Sequence, residues 1–172
     1  MENYYRQTIG SPVVTRSGET LTIVRDIIFD HETGKIVGFL VTKGKNLAVT
    51  PIDILRWNKS IFIHDRNDIV EIEEVVKLHR AVEKNISIYN KKVFTKSGDY
   101  TGKVIDYGMH GTFFELTCLI VAKSFLGLIF WDRKIISAKD IIEVQKDRII
   151  VKDLVKPLKM QKFQVDMAPL TQ

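Results

Sequence analysis

The sequence predicts an all-β chain of two tandem small β-barrels joined by an amphipathic helix, and three observations carry that expectation. The first is a duplication. Val14-Thr15-Arg16-Ser17-Gly18-Glu19 returns as Phe94-Thr95-Lys96-Ser97-Gly98-Asp99, and at the same offset of 80 Val24 meets Val104, Asp26 meets Asp106, Val41 meets Val121 and Lys43 meets Lys123. A long unit present only twice marks two copies of one small domain, because solenoids stack three or more shorter units. The second is that both copies alternate short β-branched runs with tight turns and hold no long helical period, as in a small barrel that closes on itself to remove its edges. The third is a stretch of helical texture lying between the copies.

Within the first copy, Leu21 to Phe29 is rich in β-branched residues, and Asp30-His31-Glu32-Thr33-Gly34 supplies turn chemistry before the run Lys35 to Val41. This is a hairpin signal, with Gly34 available for a positive φ at the end of the loop. The second copy keeps both strands, Thr101 to Met109 and Glu115 to Val121, around a different loop, His110-Gly111-Thr112-Phe113-Phe114. Each copy continues with the same helical start, Thr50-Pro51-Ile52-Asp53 and Ser137-Ala138-Lys139-Asp140, a hydroxyl placed three residues before a carboxylate, with Pro51 at the first helical position. Ile61-Phe62-Ile63 and Ile149-Ile150-Val151 close the two units.

Between them, Asp68 to Lys84 places Ile72, Val75, Val76, His79 and Val82 three and four residues apart, which predicts one apolar helical stripe. Asp68 and Glu71 suit a capping pair, Glu73 can reach Lys77 one turn on, and Asn85 can close the C-terminus. The expected domains are therefore residues 8–66, a helical connector over 67–90, and residues 91–153. The tail, 154–172, has no sustained period and is expected to be mobile. Units of about 65 residues are individually marginal, so the halves are expected to lean on each other or on the connector.

Composition fits a folded chain: of 172 residues, 45% are hydrophobic and 27% charged. The net charge of +5 is spread out, with +2 over residues 1–64, −2 over 65–90, +3 over 91–151 and +2 beyond. No segment makes an electrostatic footprint alone, although folding can gather scattered cations onto one face. The single cysteine, Cys118, excludes an internal disulfide and suits a reducing compartment. The N-terminus has no apolar leader, and the most apolar run, Leu116 to Trp131, is broken by Lys123 and Ser124 and too short for an integral membrane segment. A cytoplasmic protein is expected.

Taken in order, these residues resemble the PRC-barrel family. Ser17-Gly18 and Ser97-Gly98 open the units, and the family's Gly-x-Val-x-Asp strand signature is matched by Gly102-Lys103-Val104-Ile105-Asp106. The first copy reads Thr22-Ile23-Val24-Arg25-Asp26, departing at the glycine, while Asp30 to Lys35 resembles the family's hairpin loop and Pro51-Ile52-Asp53-Ile54 its proline-led turn. The resemblance covers residues 11–63 and 91–153, and the tandem arrangement looks like bacterial two-barrel proteins. It implies a six-stranded barrel used as a non-catalytic interaction module, without catalytic residues common to the family and without a cofactor.

The candidate chemistry is sparse. His31, His64, His79 and His110 lack metal-ligand spacing, so no metal is expected. Cys118 sits among aliphatic residues and reads as a small hydrophobe. Asp26 and Asp106 recur on matching strand positions; since they belong to separate barrels, they are expected not to meet, and each is expected to accept backbone N–H bonds from a nearby turn. Phe125-Leu126-Gly127-Leu128-Ile129-Phe130-Trp131 has only the shorter, non-aromatic Gly44 to Val49 as its counterpart. Phe125, Leu126, Phe130 and Trp131 therefore either seal a barrel or the seam, or anchor a partner. The functional expectation is an adaptor that docks on another macromolecule, a protein first and RNA or a ribosome precursor as the alternative, with self-association open. Gly18, Gly34, Pro51, Gly98 and Gly102 are expected to be structural.

Overall fold

Turn chemistry sets the strands. In the computed structural model, which describes residues 1–41, 46–84, 86–125 and 129–153, the first half runs β1 (Glu2–Tyr4), a single turn α1 (Tyr5–Thr8), β2 (Pro12–Thr15), β3 (Thr20–Asp30) and β4 (Lys35–Val41). It continues with β5 (Leu47–Val49), β6 (Ile54–Trp57), β7 (Ile61–Ile63) and β8 (Ile69–Glu71), and then α2 (Val76–Lys84). The second half is β9 (Lys92–Thr95), β10 (Tyr100–His110), β11 (Glu115–Phe125), β12 (Ile129–Ser137), β13 (Ile141–Val144) and β14 (Arg148–Val151). The proline-led start and its counterpart are short 3-10 turns, Pro51–Asp53 and Ala138–Asp140. Thr50 Oγ1 donates to Asp53 Oδ2 at 2.6 Å, whereas the Ser137 hydroxyl accepts from the Lys139 amide at 3.4 Å.

The protein is mostly β, and its strands bond into one curled sheet whose main path is β13-β14-β9-β10-β11-β4-β3-β2-β7-β6. Pairing repeats with the sequence. Val13, Val14 and Thr15 run parallel to Ile61, Phe62 and Ile63, and Val93, Phe94 and Thr95 run parallel to Ile149, Ile150 and Val151. Both long hairpins carry a bulge at the same place, between Val24 and Asp26 and between Val104 and Asp106. A bulge at matching positions bends and twists each hairpin alike, which is how a short sheet is made to curl.

The halves join where their hairpins end. Lys35 of β4 pairs with Glu115 of β11, the Ile36 amide donates to Phe114 O at 2.7 Å, and the Leu116 amide donates to Gly34 O at 2.9 Å. Lys35 and Glu115 are equivalent at the offset of 80, and the two hydrogen bonds are copies of each other at that offset, Ile36 answering to Leu116 and Phe114 to Gly34, so the seam has the form of a two-fold contact within one chain. One hydrophobic cluster runs through both halves, from Val13, Phe39 and Ile63 to Val93, Tyr107 and Ile149. That sharing is how two marginal units gain a core of adequate size.

The connector departs from expectation. The helix covers Val76–Lys84 alone, and the residues before it form a 3-10 turn at Arg66–Asp68, strand β8, and a second 3-10 turn at Ile72–Glu74. Ile69, Val70 and Glu71 pair with Val49, Ala48 and Leu47, so an open strand edge takes a segment whose spacing alone reads as helix. The capping box is Asp65 with Asp68 rather than Asp68 with Glu71. The stripe is also rotated: Leu78 is the helix residue fully buried, while Val76 is 63% exposed. Asn85 and the tail 154–172 lie outside the described residues. No helix among the described residues is long and apolar enough to cross a membrane.

Candidate functional site

Four features could carry function: the paired aspartates, the turn glycines, the sulfur and imidazole groups, and the β12 segment. At the bulges, each aspartate turns back on its own strand. Asp26 Oδ1 accepts from the Ile27 amide at 2.8 Å and Asp106 Oδ1 from the Tyr107 amide at 2.9 Å. Asp106 Oδ1 also accepts from the Arg6 amide at 3.1 Å. The bonded N–H groups therefore lie at the bulge and in α1, not in a neighbouring hairpin turn.

The two aspartates also act on the same two rings. Tyr5 stacks on Tyr107 at 4.7 Å and on Tyr89 at 5.0 Å, and Tyr107 meets the edge of Phe29 at 5.6 Å. Burial, then the charge and hydrogen bond of Asp26, then Tyr89 and least of all the charge of Asp106, push the Tyr5 phenol up to about 12. Burial holds Tyr107 far above its ordinary value, and both carboxylates act in the same direction. The seam between the halves brings Asp26 and Asp106 to one pair of rings. Nothing in the repeat foretold Tyr5, which lies outside it; Tyr107 was visible only as the residue that replaces Ile27 in the second copy.

The glycines divide by what they do. Gly18 and Gly98 hold φ of 91° and 96° in equivalent turns, where a side chain is strained. Gly102, at φ 144°, leaves no room, since a Cβ there would stand 2.5 Å from Ala122 O. Gly34, at φ 70°, corresponds to Phe114, which holds φ 50° despite its side chain. Phe114 stacks on Trp57 at 5.8 Å and meets the edge of Phe39 at 6.4 Å, so packing across the seam offsets a strained backbone of the kind that costs about 1 to 3 kcal/mol.

Cys118 is half-buried and faces polar groups rather than aliphatic ones: Glu2 Oε1 lies 3.8 Å from Sγ, beside the Thr117 hydroxyl. Burial pushes its thiol above the ordinary value, which disfavours the nucleophilic thiolate. His79 contacts Glu83 at 3.2 Å, and His110 Nδ1 accepts from the Thr112 and Phe113 amides. His31 titrates below an ordinary histidine because burial, then Lys91 and Lys84, disfavour its cation. Among the described residues no three His, Cys, Asp or Glu side chains gather as metal ligands would.

Of the aromatic segment, Leu126 lies outside the described residues, as do the side chains of Phe125 and Phe130. Trp131 is 45% exposed and sits opposite Lys123 in the β11–β12 ladder. Asp132 follows at φ 51° and lies 3.7 Å from Lys123 Nζ and 3.3 Å from Lys134 Nζ. Among the described residues β12 pairs with β11 alone. Its counterpart β5 is flanked on both sides, by β4 and by β8.

One curled, mostly antiparallel sheet with a parallel strand pair in each half places the chain among mostly β proteins. Residues 1–79 match the family model of the PRC-barrel domain, a β-barrel. The matched stretch runs from β1 through β8 into the first turn of α2, so it takes in the strand that covers β5. No curated protein matches the sequence.

Proposed function

We propose that the chain is a non-catalytic adaptor of two PRC-barrel units, residues 8–66 and 91–153, that binds an extended segment of a protein partner along β12. The observation behind this reading is the difference between two equivalent strands. Leu119 of β11 faces Ile136 of β12 as Phe39 of β4 faces Val49 of β5, yet among the described residues only β5 has a further strand on its outer side. An uncovered edge offers a row of backbone donors and acceptors to an incoming strand. The β8–β5 ladder supplies the pattern such a ligand would follow, antiparallel with Val70 opposite Ala48. Asp132, Arg133 and Lys134 along the edge are the kind of charges that keep it from pairing indiscriminately.

Hydrogen exchange on the purified full chain tests the reading. Outward amides of residues 131–136 should exchange much faster than those of residues 47–49. Equal protection would mean that the edge is already covered, and would remove it; protection that grows with protein concentration would indicate self-pairing instead. Trp131→Ser with Arg133→Glu should abolish capture of a protein from nuclease-treated host lysate at an unchanged melting temperature.

A further inference from the structure

The second half carries a row of cations that the first half lacks. Lys103 of β10 lies directly opposite Lys92 of β9, and Lys92 directly opposite Arg148 of β14. Registered neighbours share a sheet face, and adjacent strands are about 4.8 Å apart, so three positive residues stand side by side along roughly 10 Å. Like charges set opposite one another destabilise a sheet. Among the described residues no carboxylate lies within salt-bridge distance of Lys92, Lys103 or the adjacent Lys146. Asp147 is the acid at hand, and it is already engaged by Arg148 at 2.7 Å and 3.0 Å. Lys91, just beneath, is held away from the surface, its Nζ donating to the Gln145 and Lys146 carbonyls at 2.7 and 3.2 Å.

The fold does not require this arrangement. At the equivalent places of the first half stand Pro12 opposite Ile23, and Ser60, none of them charged. The same face also presents aromatic rings. Phe94 lies two residues beyond Lys92, its ring contacts Tyr100 at 5.4 Å, and the Arg148 guanidinium sits 5.4 Å from the centre of the Phe94 ring. Tyr100 is 42% exposed. A recess of about 330 Å³ bordered by Asn90, Lys92, Lys103 and Lys146 opens beside the row.

We propose that the outer face of β10–β9–β14 binds single-stranded nucleic acid, the cation row taking the phosphate backbone and Tyr100 taking a base. Lys92 and Lys103, the two cations of the row without an acid partner among the described residues, suit a polyanion, and an exposed ring beside them suits an unpaired base, since single-strand sites combine a basic track with stacking platforms. A lipid surface would need the cations but not a platform. A duplex keeps its base faces stacked and out of the reach of Tyr100. This site is separate from β12 and does not depend on the adaptor reading.

The test uses the full chain and a labelled oligouridylate about 20 nucleotides long, a span that exceeds the roughly 4–16 nucleotides of known single-strand sites. Binding should weaken steeply from 50 to 200 mM salt. Lys92→Gln with Lys103→Gln should weaken it at least tenfold and make the log–log salt slope shallower by about 1.4, at about 0.7 for each phosphate that is no longer neutralised. The same variant should melt no lower than the parent, because two opposed charges have been removed. Tyr100→Ser should weaken binding roughly tenfold at an unchanged salt slope, which keeps the test open if the lysine variant folds poorly. The proposal is overturned by a parent chain that does not bind the oligonucleotide at 50 mM salt, by variants that bind as the parent does, or by phosphatidylserine vesicles or duplex RNA held as tightly as the single strand.

Discussion

The two halves share a frame and differ in what covers it. On β3 and β4, Ile28 faces Gly38, and Leu78 of α2 packs so closely over that glycine that a Cβ there would stand within van der Waals radii of Leu78 Cδ2. On β10 and β11 the small residue has changed strands: Gly108 faces Cys118, and Glu2 of β1 lies over Gly108, with Oε1 2.6 Å from where its Cβ would be. The first half therefore receives an apolar knob from the connector. The second receives a carboxylate that accepts from the Thr117 hydroxyl at 2.7 Å. A duplicated sheet keeps its inner face, where both copies contribute to one core, and diverges on its outer face, where each cover needs its own glycine.

The comparison is most easily broken at that glycine. Leu78→Ala should lower stability by about 2 to 5 kcal/mol, as deletion of a buried leucine does, whereas Glu2→Ala should cost about 1 kcal/mol for a partly exposed hydrogen bond. Gly38→Cys, which imports the residue of the second half, should cost about 1 to 3 kcal/mol through overpacking against Leu78. Denaturant midpoints measure all three. If Leu78→Ala and Glu2→Ala cost the same, the two covers are energetically alike and the distinction fails.

At the seam the comparison can be sharpened with pH. The Tyr5 phenol titrates at about 12 when folded against 10 for an ordinary tyrosine, so ionisation favours the unfolded chain. Its contribution is whole below pH 10 and is lost as the pH rises through about 12. Stability should therefore fall between those values. Tyr5→Phe should fall less steeply while keeping the loss due to Tyr107, and a variant that falls as steeply as the parent would show that burial and Asp26 do not raise the Tyr5 phenol.

The hairpins, the closing strands and the proline-led turn were legible because each rests on short-range chemistry that the duplication prints twice. Contacts between segments were not. Ile69–Glu71 became a strand because β5 offered it an edge, and no window over 68–84 contains that information. Pairing of equivalent hairpin ends, Gly34 with Leu116 and Ile36 with Phe114, is likewise invisible in a repeat, which states that two units are alike and not how they meet. Charge counted by segment hid the row of Lys92, Lys103 and Arg148, since its members come from three strands. A position-by-position comparison at the offset of 80 exposes two of them, as Lys92 replaces Pro12 and Lys103 replaces Ile23.

The smallest expected difference separates the two aspartates themselves. Each uses Oδ1 to hold the amide of the next residue at a bulge, and asparagine keeps an oxygen for that purpose while losing the charge. Charge-assisted bonds exceed neutral ones by about 1 kcal/mol, so Asp26→Asn and Asp106→Asn should each lower stability by about that amount. They should not act alike on Tyr5, because Asp26 is hydrogen-bonded to it and dominates Asp106 among the charges that raise it. Tyrosinate absorbance followed through an alkaline titration should then show the Tyr5 transition moving down markedly in Asp26→Asn and slightly in Asp106→Asn. Equal movement would make the seam symmetric about the ring. A loss of binding with stability unaltered in either variant would make that aspartate a contact residue, and the bulge would no longer explain why both copies carry it.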